Sequence, residues 1–264
     1  MQPRAGGHPS PYLDIGVLKQ LERFLERQLV IVPGMRIVSW NCCLRLATKY
    51  EHVAQLTPDI LIAQECEQLP SDFFPEAHYH WVGHDKKKGL GVITFDEKAE
   101  IDPSFNPNLD YFLPLTFESG LKLLGVWSFT HRAEKRFGVG HKGHVSDALN
   151  YYGDWLRDSD QAIIAGDFNN SVIWDKGSKE SNFYQTNQKL ESLSFFSSYH
   201  SARAEAFGSE TASTLFHTKN ELKPYHIDYL YLKGMKANDV EIGIYRDWIS
   251  YSDHMPIIAD CLRT

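Results

Sequence analysis

The chain is short of the features that mark membrane, secreted disulfide-bonded and nucleic-acid-coating proteins. No apolar stretch in it approaches the ~20 residues a membrane span needs, which excludes a helical membrane protein. Residues Met1 to Ser10 carry one arginine, two glycines and two prolines but no apolar run, so no secretory signal is expected there. Cysteine is scarce. Cys42, Cys43, Cys66 and Cys261 form neither a spaced disulfide framework nor a CxxC zinc pair, and the expectation is a reducing, cytoplasmic location. Positive charge is also in deficit: 27 lysines and arginines face 34 acidic residues, for a formal net charge of −7. That excludes a protein that coats nucleic acid by bulk electrostatics, but not an enzyme that meets a phosphodiester at one local patch. Two patches qualify, Lys86-Lys87-Lys88 and His131 to Arg136. The lysine run reads first as a solvated loop; the second patch begins at a strand end.

What remains is an ordinary globular composition, 42% hydrophobic and 23% charged over 264 residues, enough chain for a substantial core. Apolar residues at Leu13, Val17, Leu18, Leu21, Phe24, Leu25 and Leu29 have helical spacing, which Pro33-Gly34 ends. This helix, in an N-terminal extension over residues 1–34, packs on its own domain or serves an oligomer or partner contact. From residue 35 to 264 strands and helices alternate. Strands are expected over Met35–Trp40, Ile60–Gln64, His80–Val82, Leu90–Phe95, Leu121–Phe129, Gln161–Ala165, Ile227–Leu232, Ala237–Tyr245 and Ile257–Cys261. Helices are expected over Leu44–Leu56, Gly143–Arg157 and Thr186–Phe196, and Pro103 to Pro114, with three prolines and two asparagines, reads as a loop. The pattern is that of one α/β domain with two packed sheets and helices outside.

Polar groups sit in or at the ends of these apolar runs, although burying an unpaired polar group costs roughly 1–3 kcal/mol. Asn41 follows Ile37-Val38-Ser39-Trp40 at a strand's C-terminal end, and Glu65 ends Asp59-Ile60-Leu61-Ile62-Ala63-Gln64. A carboxylate at the mouth of a buried strand needs a cation, a donor set or water. Asp167 and Asn169 follow Ala162-Ile163-Ile164-Ala165-Gly166; two apart in extended chain they share one side, and Gly166 permits a turn or a close approach. Such a pair suits orienting or deprotonating a water and donating to an oxyanion, and equally an Asx-turn cap. Asp228, inside His226-Ile227-Asp228-Tyr229-Leu230-Tyr231-Leu232, needs a partner, and His254 in Ser252-Asp253-His254-Met255-Pro256 is the candidate. A protonated His254 would stabilise charge on a phosphate while Asp253 turns to a metal. His131, ending Gly125-Val126-Trp127-Ser128-Phe129-Thr130, could bind the phosphate or act as general acid. His141, His144, His200 and His217 read as surface or structural residues. Carboxylate, amide and imidazole together suit Mg²⁺-assisted attack on a phosphate ester. The aromatic in Asn170 to Asp175 could stack on a base or simply pack.

In order, Ile37-Val38-Ser39-Trp40-Asn41, Ile62-Ala63-Gln64-Glu65, Gly166-Asp167-Phe168-Asn169, His226-Ile227-Asp228-Tyr229 and Ser252-Asp253-His254-Met255-Pro256 resemble the endonuclease/exonuclease/phosphatase superfamily over about residues 35–262. That group includes DNase I-like and exonuclease III-like metal-dependent phosphoesterases. The resemblance implies a four-layer α/β sandwich, two mixed sheets face to face with helices outside. It implies that Glu65 is the principal Mg²⁺ ligand (Mn²⁺ the alternative), with Asn41 and Asp253 at or near the metal. Asp167 would position the water, Asn169 would contact the phosphate, Asp228 and His254 would pair, and His131 would match a histidine ending a central strand. Abasic endonucleases usually carry an aspartate two residues beyond the asparagine; here Cys43 stands there, a poor Mg²⁺ ligand. Their Gln-Glu-Thr-Lys is Gln64-Glu65-Cys66-Glu67, and their strand-end tyrosine is His131. The implied activity is metal-dependent phosphodiester hydrolysis, foremost of DNA or RNA. The alternatives are a phosphatase or sphingomyelinase-like hydrolase of a small phosphoester or lipid headgroup, and a non-catalytic binding module of the same fold.

Overall fold

Alternation along the central strands decides which face each residue meets. In a computed structural model of the protein, residues 34–70, 72–129, 133–176 and 182–263 are described. The chain divides into two units, Met1–Pro33 and Gly34–Thr264, and the second is the one described. The helix expected over Leu13–Leu29 and the strand-end His131 lie outside the described residues.

Fourteen strands are formed among the described residues: β1 Gly34–Asn41, β2 Ile60–Cys66, β3 His78–Asp85, β4 Lys88–Thr94, β5 Ala99–Ile101, β6 Phe112–Phe117, β7 Lys122–Trp127, β8 Ala162–Asp167, β9 Phe196–Ser197, β10 Leu215–Phe216, β11 Pro224–Tyr225, β12 Asp228–Lys233, β13 Met235–Ile242 and β14 Ile257–Arg263. The helices are α1 Leu46–Ala54, α2 Ala133–Phe137, α3 Val145–Arg157, α4 Phe183–Ser192, α5 Ser198–Arg203 and α6 Tyr245–Trp248. One six-stranded sheet has the order β13-β14-β1-β2-β4-β3, the other β5-β6-β7-β8-β12-β9. Both are mixed, because β1–β2 and β7–β8 run parallel while the other pairs in each sheet are antiparallel.

Successive strand residues point to opposite faces, and this builds three apolar layers. Ile37, Ile62 and Val92 of the first sheet share a cluster with Leu113, Leu123, Ile163 and Leu230 of the second, the core between sheets. Their neighbours Val38 and Leu61 turn outward and pack with Leu46 and Val53 of α1. Leu124 and Ile164 turn outward on the other side, under Leu149, Tyr152 and Leu156 of α3 and Leu190 of α4. The buried positions of α3, from Val145 through Ala148, Leu149, Tyr152 and Leu156, recur at helical spacing, so the helix lays one stripe on the sheet. The result is the four-layer sandwich that the resemblance implies.

Several boundaries depart from the expected ones: the strand expected over Ala237–Tyr245 runs from Met235 to Ile242 and Tyr245 opens α6 instead, and three further departures have a local reason. The helix expected from Leu44 begins at Leu46, because Cys43, Leu44 and Arg45 have φ of 49°, 69° and 56° and form a left-handed turn. The Glu67 carboxylate then takes the first free amides, Leu46 N–H (2.7 Å) and Ala47 N–H (3.0 Å). The loop expected up to Pro114 gives way to β6 from Phe112. Pro114 is tolerated there because it pairs with Leu124 of β7 but faces the side where β5 has ended, its carbonyl accepting Asp102 N–H at 3.0 Å. The helix expected over Thr186–Phe196 starts at Phe183, where the Asn182 side chain accepts Gln185 N–H at 3.3 Å. It ends at Ser192, and Phe196 becomes a strand residue opposite Leu232.

Candidate active site

The topology brings five of the polar motifs to one end of the sandwich. Asn41 ends β1, and Glu65 lies at the same end of the parallel β2. Asp167 ends β8, and Asp228 opens the antiparallel β12 directly opposite it in register. Asn41 Nδ2 donates to Asp167 Oδ2 at 3.0 Å, a buried bond that joins the two sheets.

The turn before β14 is tied to β1. Ser252 Oγ donates to the Asn41 carbonyl (2.7 Å) and accepts His254 N–H (3.0 Å), while Trp40 Nε1 donates to the His254 carbonyl (3.0 Å). These bonds aim the His254 ring at Asp228, with Nδ1 at 2.9 Å from Oδ2 and 3.2 Å from Oδ1. Asp167, Asp228 and His254, all buried, bring one ligating atom each within 4.8 Å of one another. Thr214, fully buried, was missed by sequence reasoning. Its Oγ1 accepts Ile227 N–H (3.0 Å) and Asp228 N–H (3.1 Å), and its carbonyl accepts Met255 N–H (2.7 Å), which fixes both partners of the pair.

Asp167 and Asn169 are adjacent, but strand alternation is not the cause, because β8 ends at Asp167 and Asn169 has φ 47°. A turn folds Asn169 back, so that its N–H meets Asp167 Oδ1 at 2.8 Å and its Nδ2 meets Asp167 Oδ2 at 2.9 Å and the Ser128 carbonyl at 3.1 Å. Gly166 lets β8 lie close against β7. Its φ is +149°, and a Cβ there would lie 1.8 Å from the Val126 carbonyl oxygen.

No family model and no curated protein sequence matches the chain. Solved structures do. A 3′-phosphatase, NExo, from Neisseria, bound to product DNA hairpin, aligns with TM-score 0.65 at 19% identity, over 85% of this chain and 98% of that one. An AP endonuclease from Archaeoglobus fulgidus aligns with TM-score 0.61 at 16% identity over 85% and 98%. An endonuclease/exonuclease/phosphatase from Bacteroides vulgatus gives 0.59 at 16% over 86% and 98%. The chain has the endonuclease/exonuclease/phosphatase fold.

Within this fold the site combines a buried half, where Asp167, Asp228 and His254 meet, with a more open half around Glu65. Burial raises the Asp167 carboxyl to about 7, helped by the charge of Asp228 and opposed by His254 and by the Asn169 and Asn41 hydrogen bonds. Burial alone would lower His254, but the Asp228 carboxylate and its hydrogen bond outweigh it and hold the imidazole up at about 10, so it is protonated at neutral pH. On the open side, Glu65 adopts φ 58° at an irregularity where β2 slips against β4 between Gln64 and Cys66, which turns its carboxylate out of the strand. Lys88 Nζ stands 2.9 Å from Glu65 Oε2 and 5.2 Å from the centroid of the Trp127 ring. The lysine run therefore divides: Lys86 and Lys87 are exposed, as a solvated loop requires, and Lys88 turns to the site.

Cys43 N–H donates to Asn41 Oδ1 at 3.0 Å. Burial, then the charges of Asp253 and Glu65, push the Cys43 thiol up, so it stays protonated among oxygen donors. His226, although in a quoted motif, precedes β12 and lies buried with Nδ1 on the Ala212 carbonyl at 2.8 Å; burial lowers its pKa. Trp174 is exposed, with its ring 5.3 Å from that of Tyr225, so the aromatic after Asn169 is not packed into the core.

Proposed function

We propose that the protein is a divalent-metal-dependent phosphoesterase that hydrolyses DNA or RNA phosphodiester bonds by in-line attack of water. The observation that carries this reading is the hydrogen-bonded series Asn41–Asp167–Asn169 with Asp228–His254, at the same sandwich end as Glu65. Holding two buried carboxylates against one imidazolium is costly unless the charges are used.

The donor set fits a hard cation. Glu65, Asn41 and Asp253 offer oxygens, while the protonated Cys43 thiol offers no competing soft ligand. These three residues would hold Mg²⁺, with Mn²⁺ the alternative. When bound, such an ion polarises a phosphoryl oxygen and offsets developing negative charge. The remaining residues act through protons and positions. Asp167, raised to about 7, is matched to orienting a water and accepting its proton at neutral pH. His254 supplies fixed positive charge for the phosphate, and Asp228 holds its ring and keeps it protonated. Asn169 holds Asp167 and lies where its amide can turn to the phosphate. His131, on sequence grounds, binds the phosphate or protonates the leaving group.

A nucleic acid is favoured as substrate by the exposed Trp174, which packs against the half-buried Tyr225 ring, since an aromatic face stacks on an unpaired base at ~1–3 kcal/mol. The DNA product bound by the Neisseria structure points the same way. The cytoplasmic location and a partner role for Leu13–Leu29 belong to this proposal on sequence grounds. No helix among the described residues is long and apolar enough to cross a membrane.

The test is hydrolysis of plasmid DNA, single-stranded DNA, RNA, inositol phosphates and sphingomyelin with Mg²⁺, Mn²⁺ or chelator, and Glu65→Ala as control. Metal-dependent cleavage of nucleic acid that the variant lacks supports the proposal. Turnover of a small phosphoester alone moves the protein to a phosphatase, and silence throughout overturns the enzyme reading.

A further inference from the structure

A second cluster of metal-ligating side chains stands at the same end of the sandwich, outside the site described above. His84 near the end of β3, Asp110 before β6 and His141 before α3 come from three separate segments, and one ligating atom of each lies within 4.8 Å of the others. His141 Nδ1 is 2.9 Å from Asp110 Oδ2, and His84 Nε2 contacts Asp110 Oδ1. Sequence reasoning placed His141 among surface or structural residues, and neither His84 nor Asp110 carried a motif.

The Asp110 side chain is fully buried, at 0% exposure, and among the described residues its carboxylate meets only these two imidazoles. A carboxylate buried this deeply needs compensating positive charge. A divalent ion between the three supplies it. The ~2.0–2.2 Å bonds of a tetrahedral zinc site put donor atoms roughly 3.3 Å apart; here His141 Nδ1 and Asp110 Oδ2 are 2.9 Å apart and all three ligating atoms lie within 4.8 Å, so small side-chain shifts would open the cluster around an ion. Two imidazole nitrogens and one carboxylate oxygen form a borderline set that favours Zn²⁺ over Mg²⁺, which prefers oxygen alone. One side of the site is walled by Phe137, stacked on His84 at 4.2 Å. The other side is open, since the His84 side chain is 42% exposed, which leaves a position for water or an exogenous ligand.

We propose that His84, Asp110 and His141 form a zinc-class metal site separate from the Glu65 centre. It ties the β3–β4 hairpin, whose turn pairs Asp85 with Lys88, to the second sheet. The Tyr111 ring links the two places, lying 5.8 Å from the His84 ring and 4.6 Å from that of Trp127, beneath Lys88. A bound ion would therefore brace the hairpin that presents Lys88 to Glu65.

The test is calorimetric titration of the metal-free full chain with Zn²⁺ in excess Mg²⁺, comparing wild type, His84→Ala, His141→Ala and Glu65→Ala. The proposal predicts one Zn²⁺ per chain that Mg²⁺ does not displace and that Glu65→Ala retains. His84→Ala and His141→Ala should weaken it by more than ~100-fold, beyond the cost of losing a ligand's supporting partner. His84 is exposed, so its variant should fold, which circular dichroism checks. Substituted Co²⁺ should show visible bands of nitrogen and oxygen ligation without thiolate charge transfer. Absence of Zn²⁺ binding, binding unchanged in folded His84→Ala, or binding lost in Glu65→Ala overturns the proposal.

Discussion

Lys88 Nζ sits on Glu65 Oε2 at 2.9 Å, so a protein cation holds the carboxylate proposed to bind the metal. On that proposal the two would compete for the same oxygen. Both side chains are partly exposed, at 31% and 21%, so the pair is worth only ~0.2–1 kcal/mol. Lys88→Met should therefore tighten Mg²⁺ binding by up to about 5-fold, measured by titration of the metal-free protein. Weaker binding in the variant would show that Lys88 props Glu65 rather than competing for it.

The Asp228–His254 pair gives a pH signature. The folded His254 value, about 10, exceeds the ordinary 6.5. Its protonation thus contributes stability fully present below about pH 6.5 and lost as the pH rises through about 10. Asp228→Asn removes the attraction and leaves burial, which lowers the imidazole. The variant should be less stable than wild type near neutral pH, with the gap shrinking between pH 7 and 10. Urea denaturation in chelator measures this, and a gap constant over that range would contradict the assignment.

Gly166→Ala tests how closely β7 and β8 pack just before Asp167. The added methyl would meet the Val126 carbonyl oxygen at 1.8 Å, and the φ of +149° disfavours any side chain. A loss of about 3 kcal/mol or more is expected by thermal or denaturant unfolding. Near-wild-type stability would mean that β7 and β8 approach less closely than this.

The sequence made the central strands legible because their signals are local. Continuous apolar runs such as Ala162 to Ala165 name a buried strand without reference to any neighbour, and each ends in a polar residue whose burial requires a partner. The Asp228–His254 partnership followed from that requirement. What stayed hidden depends on contacts between distant segments. Asp110 sits among prolines and asparagines that read as loop, and only the fold sets it between His84 and His141. Thr214 has no distinctive surroundings in sequence, yet it fixes Asp228 and Met255 together. The outward turn of Glu65 comes from a register slip between β2 and β4 that no residue pattern announces. Lys88 differs from Lys86 and Lys87 only in where the hairpin points it.

The most direct test of the account is the rate of phosphodiester hydrolysis as a function of Mg²⁺ concentration in wild type, Glu65→Ala and His254→Ala. One shared site predicts turnover that saturates with Mg²⁺ and is abolished by chelator in wild type. It also predicts rates at least ~100-fold lower in both variants, with circular dichroism unchanged. Wild-type rates in either folded variant would contradict it.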